Sequence, residues 1–149
     1  MKKNIVELVW AVPCSLSSTD QERNNVSLFN VIEQLTIKNT DLAVADKDGK
    51  RKMNFSFEFL TLWRKLMDEK SVIVDTEINW EDPNEKTLRK VAYPLEIKKE
   101  FQRIRLRTAL QGIEITGAGY YHLVVRLRQP GESEFSVAAR VPIEVKVTD

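Results

Sequence analysis

Hydrophobic residues recur at strict period two through most of this chain, and the longest run lies near its end. Phe135, Val137, Ala139, Val141, Ile143, Val145 and Val147 are apolar, and the residues between them, Ser136 to Lys146, are mostly polar. That alternation predicts a long strand with one wet face. Proline cannot donate to a ladder, so Pro142 predicts an edge or a bulge at that point. Just upstream, Tyr121, Leu123, Val125 and Leu127 alternate with His122, Val124, Arg126 and Arg128. The link Gln129-Pro130-Gly131-Glu132-Ser133 has turn chemistry, and the two runs together predict a β-hairpin.

The same period recurs further back. Ile104, Leu106, Thr108 and Leu110 share one face, with Arg103, Arg105 and Arg107 on the other. Val91, Tyr93, Leu95 and Ile97 predict another strand, and Val72, Val74, Thr76, Ile78 and Trp80 a third, closed by Glu81-Asp82-Pro83-Asn84. Ile5 to Val12 is apolar on both faces, as a central strand would be. Val26 to Phe29 and Val31 to Ile37 read as one strand bent near Asn30. In residues 55–67 the positions Phe55, Phe57 and Phe59 fit a strand, whereas Phe59, Leu62, Trp63 and Leu66 fit a helix face; the β-rich surroundings favour a strand. The loop from Thr40 to Lys52, with Asp48-Gly49 as a turn, joins that segment to the strand before it.

The stretch Gly119, Tyr121, Leu123, Val125 resembles a late strand of immunoglobulin-like and fibronectin-like sandwiches. There a tyrosine packs its ring in the core and bonds its hydroxyl back to the backbone at a strand corner. Nearly the whole chain also resembles a bacterial protein family of unknown function with an immunoglobulin-like β-sandwich. That resemblance is carried by Glu7-Leu8-Val9-Trp10-Ala11, by Val26 to Glu33 and by the terminal hairpin from Gly119. It implies a fold and a bacterial or phage source, and no activity. The expected fold is all-β: an antiparallel β-sandwich, immunoglobulin-like or C2-like, of about eight strands with little or no helix, as a single domain over residues 1–149. A parallel sheet would need crossover helices, for which little sequence is left.

Composition narrows the function classes. The chain has 149 residues, 42% hydrophobic and 30% charged, which suits one globular domain with its own core. Net charge is +1, so no overall field points to nucleic acid or membrane. The charge is uneven: residues 1–87 carry 12 Lys/Arg against 15 Asp/Glu, and residues 88–149 carry 11 against 7. The single cysteine, Cys14, cannot form an internal disulfide, which fits a reducing compartment. Residues 5–12 include Glu7 and read as a buried strand rather than an export signal. No segment approaches the ~18 apolar residues of a membrane-spanning helix. A cytoplasmic location is expected.

Candidate chemistry is sparse. Nucleophilic catalysis would need Cys14, just past the first strand, brought beside His122, the sole histidine and one expected to face outward. Asp75 with Glu77, or Glu81 with Asp82, could make a carboxylate pair, but they fall on a wet face and in a turn. Asp41, Asp46 and Asp48 lack the spacing of a calcium loop and sit among cations, and no Cys/His set suits zinc. No catalytic residue, metal or cofactor is therefore assigned. The feature singled out is the row Arg103, Arg105, Arg107, about 7 Å apart along one strand face, with a shorter row, Arg126 and Arg128. If both strands share a sheet, the five arginines form a basic face for phosphate or an acidic protein. The competing expectation is that Asp75, Glu77 or Glu144 neutralises them. No aromatic side chains interleave the rows to stack bases. The expected function is a non-enzymatic interaction module, an adaptor or complex subunit. It would dock a protein partner through a strand edge or this basic face; nucleic-acid or phosphate binding through the arginines is the alternative, and an enzyme is the least favoured class.

Overall fold

The computed structural model describes residues 3–68 and 70–149. Among them are nine strands and one short 3-10 turn at Asn39–Asp41. The strands are β1 (Val6–Asp20), β2 (Asn25–Val31), β3 (Gln34–Lys38), β4 (Arg51–Lys65), β5 (Val72–Glu81), β6 (Thr87–Ile97), β7 (Arg103–Ile115), β8 (Gly119–Arg128) and β9 (Ser136–Thr148). They form a sandwich of two sheets, in the orders β2-β1-β4-β7 and β3-β9-β8-β5-β6. All pairings are antiparallel except β3 with β9. No helix among the described residues is long and apolar enough to cross a membrane.

Period two becomes the core directly. Tyr121, Leu123 and Val125 of β8, Ile143 and Val145 of β9, Val74, Ile78 and Trp80 of β5, and Phe57, Phe59 and Trp63 of β4 all point between the sheets. The ambiguous segment is the strand β4, whose buried residues Phe57, Phe59, Thr61 and Trp63 keep period two. In β7 the period slips at Gly112, which has φ +72. That left-handed conformation suits glycine, and it turns Ile113 and Ile115 inward after Leu110.

Two expectations are corrected. The segment from Val26 to Ile37 is not one bent strand. β2 belongs to the four-stranded sheet and β3 to the five-stranded one, and the chain crosses between them at Ile32, which is buried. Asn30, with φ 52, marks the bend just before that crossing. Cys14 lies inside β1 rather than past its end, because β1 runs on to Asp20 and passes from β4 to β2 as its partner near Cys14. Pro142 sits where the sequence allowed it: β3 pairs with β9 only from Glu144 onward, so one side of β9 is open at the proline.

The tyrosine corner is complete. Tyr121 is fully buried, and its ring stacks on Trp80 with centroids 5.0 Å apart. Its hydroxyl accepts from the amides of Thr116 (2.8 Å) and Gly117 (3.1 Å) and donates to the Gly117 carbonyl (2.7 Å). Removing that hydroxyl leaves three backbone groups without their partner. Tyr121→Phe is expected to lower unfolding stability by about 1–3 kcal/mol, measured by urea denaturation, whereas Tyr120→Phe, at an exposed neighbour, should change it by less than about 0.5 kcal/mol.

Candidate functional site

In the middle of the four-stranded sheet, β1 and β4 are apolar on both faces. Register places Trp10 opposite Leu62, Val12 opposite Leu60 and Cys14 opposite Glu58. These positions alternate with the inward-facing Phe59, Thr61 and Trp63, so their side chains point away from the inter-sheet core. Leu60 and Cys14 are nonetheless only 2% and 0% exposed. The cover is the chain's own hairpin, formed by the second half of β1 and by β2. Ser17 of this hairpin donates its hydroxyl to the Glu58 carboxylate on β4. At the hairpin tip, Asn24 reaches β7, where Arg105 donates to its carbonyl and to its side-chain oxygen, both at 3.3 Å. The hairpin is thus a flap folded across the outside of the sheet.

A two-stranded flap has a second face. Val26 and Leu28 are half-buried, whereas Leu16, Phe29 and Val31 are 57%, 51% and 50% exposed. Leu16 pairs with Phe29, and Val31 follows along the same strand, so the three are contiguous. Phe29 and Val31 lie on β2 with Leu16 beside them on β1, and among the described residues the edge strand β2 pairs with β1 alone. An exposed apolar face beside unpaired backbone groups is a feature that soluble sheets usually suppress.

The five arginines do not form one face. β7 is the edge of the four-stranded sheet and β8 lies inside the five-stranded one, so the rows Arg103, Arg105, Arg107 and Arg126, Arg128 belong to different sheets. Strand order, which alternation does not encode, decides this. Arg107 reaches Glu58 at 3.7 Å, and Arg105 holds the flap tip. The Arg103 side chain has no hydrogen bond or ion pair among the described residues. Arg128 pairs with Asp75 at 2.9 Å and lies over the Phe135 ring. Arg126 has its Nε buried without a hydrogen-bond partner. Of the acids expected to neutralise the rows, Asp75 does so. Glu77 lies 3.3 Å from Lys90 instead, and Glu144 lies 3.7 Å from Lys146.

The other candidates are also placed. Glu77 is on the outward side of β5 yet only 5% exposed, because the neighbouring side chains close over it. Glu81 pairs with Arg140 at 3.6 Å, and Asp82 accepts the Asn84 and Lys86 amides, both at 2.9 Å. Asp46 accepts the Asp48 and Lys50 amides, and the Lys50 amide bond is the main reason its carboxyl titrates below the ordinary range. Cys14 and His122 lie on different sheets and form no pair.

One concavity was not foreseen. A groove of about 380 Å³ lies at the turn between β6 and β7, walled by Leu62, Ile97, Phe101 and Ile104 and flanked by Lys98, Arg103 and Arg105. Asn24 of the flap tip forms part of its wall. The turn is anchored from within by Lys65, 3% exposed, whose ammonium donates to the carbonyls of Lys70 (3.0 Å), Lys98 and Lys99 (both 3.2 Å). The available sequence signal was Phe101, an apolar residue inside a charged turn. Compared with known proteins, the chain matches no family model and no curated sequence.

Burial, followed by the nearby Glu58 charge, pushes the Cys14 thiol above its ordinary value. The thiolate is the reactive form, so Cys14 is expected to resist alkylation by iodoacetamide at pH 8 in the folded protein and to react once urea unfolds it. Rapid labelling of the native protein, read by mass spectrometry, would show that the thiol is not buried.

Proposed function

We propose that this protein is a non-enzymatic interaction module, an adaptor or subunit of a complex, that docks a protein partner along β2. The observation that carries this reading is the coincidence of an edge strand with three contiguous exposed apolar residues, Leu16, Phe29 and Val31. The fitting partner supplies an extended segment with apolar side chains at alternate positions. Its backbone would pair with the free groups of β2, and its side chains would cover Phe29 and Val31. Ile73, equally exposed at 54%, stands on the inner strand β5, where both backbone edges are already paired.

The reading through the five arginines has less support. Arg107, Arg128 and Arg105 are engaged within the protein, and the two rows occupy separate sheets. The other reading of the basic row, a phosphate-bearing nucleic acid, would also lack aromatic platforms beside it.

A photo-crosslinking amino acid placed at Phe29, with the same group at Ile73 as control, tests the docking edge in the native host. One discrete protein adduct from position 29, absent from position 73 and lost when Val31→Asp is added, is the expected result. Equal adducts from both positions, or none from position 29, would remove the basis for an edge-docking module.

A further inference from the structure

We infer that the groove between the β6–β7 turn and the flap tip binds a small amphiphilic anion: a carboxylate or phosphate head group carried on an apolar body. This site is distinct from the β2 edge, although Asn24 at the tip of the same hairpin forms part of its wall.

Three features of the groove point to this ligand class. The walls are apolar, from Leu62, Phe101 and Ile104 over the buried Ile97, and Phe101 is 58% exposed where an apolar turn residue would ordinarily fold inward. The rim carries three cations, Lys98, Arg103 and Arg105, against one acid, Glu96. A volume of about 380 Å³ falls at the lower end of the range for small-ligand pockets. An apolar lining with an excess of cations complements a molecule that is apolar at one end and anionic at the other.

The guanidinium groups are also available. Arg103 has no side-chain partner among the described residues, so no internal bond must break for it to take a ligand. Arg105 is held only by neutral acceptors of Asn24, both at 3.3 Å. A carboxylate or phosphate adds a full opposite charge and a bidentate fit to the guanidinium that the neutral Asn24 oxygens do not offer, so an incoming anion outcompetes Asn24 for Arg105. Binding then loosens the flap tip at Asn24. The turn that presents Phe101 is fixed beforehand, because Lys65 ties the Lys98 and Lys99 carbonyls to the loop before β5 and the Phe101 amide bonds the Lys98 carbonyl at 3.0 Å. A preformed site avoids part of the ordering cost of binding. With one aromatic residue in its wall, the groove lacks the successive stacking platforms that single-stranded nucleic acid uses.

The test is a titration followed by amide NMR shifts, with octanoate, octyl phosphate and octanol as three probes sharing one tail. The expected result is saturable shifts centred on residues 96–105 and on Asn24, with at least one anion binding about tenfold or more tighter than octanol. Whichever anion binds more tightly identifies the head group. Arg103→Glu should weaken both anions about tenfold or more and leave octanol unchanged. Phe101→Ala should weaken all three probes alike and so separates the tail contact from the head contact. Octanol matching both anions, shifts centred on Leu16 and Phe29 instead, no saturable shift at all, or anion affinity indifferent to Arg103→Glu would each overturn the inference.

Discussion

A sheet whose central strands, β1 and β4, are apolar on both faces cannot be satisfied by a simple two-layer sandwich, and the rest of this molecule follows from that constraint. β1 and β4 send Phe59, Trp63 and Val6 into the core and present Trp10, Val12, Cys14, Leu60 and Leu62 on the other side. Leaving Leu60 and Cys14 in water would forfeit about 1.5–3 kcal/mol for a large aliphatic side chain. The chain avoids this by carrying β1 past the sheet and returning it as β2, so that one hairpin serves as a third layer. The third layer has its own outer surface, and that surface holds Leu16, Phe29 and Val31 beside an open edge. Its tip touches β7 and closes one wall of the groove. The docking edge and the groove are both by-products of covering the second apolar face.

The opposite sheet is finished differently. Its outer surface is laced by Arg128 with Asp75, Lys90 with Glu77, and Arg140 with Glu81 and Glu85. Pairs at partly exposed positions contribute little stability, typically well under about 1 kcal/mol each, but they neutralise most of these charges within the sheet. The contacts that lock the sandwich are the buried ones: the Tyr121 hydroxyl at the corner, the Trp80 indole on the Glu114 carbonyl at 2.9 Å, and the Lys65 ammonium beneath the β6–β7 turn. Each satisfies backbone groups that would otherwise be buried without a partner, which is the costlier omission. The two sheets therefore differ, one laced by ion pairs across its outer surface, the other carrying the hairpin with its apolar edge.

What alternation encodes was legible, and what strand order encodes was not. The strands from β5 to β9 follow from period two, and the corner at Tyr121 follows from Gly119, Tyr121, Leu123 and Val125, because those patterns depend on neighbours within a few residues. The two-faced apolarity of residues 5–12 was visible as well, and it marked β1 as a central strand. The arginine rows were read correctly within each strand, yet they part company because β7 and β8 pair with β4 and with β5 and β9 respectively. The passage of the chain from β2 to β3 was hidden for the same reason: Val26 to Ile37 keeps one apolar rhythm while changing sheets at Ile32. Burial of Glu77 depends on the side chains of three strands, and the groove depends on a turn, an edge and a flap that are far apart in sequence.

The flap is the piece on which both proposed surfaces rest, and its position can be measured directly. In a solution NMR structure, the account predicts nuclear Overhauser contacts from the Asn24 side-chain amide to Arg105 and from Ser17 to Glu58, together with slow amide exchange for the residues of β1 that flank Cys14. Absence of both contacts, with the β2 amides and the Cys14 region exchanging as freely as an open hairpin, would contradict it.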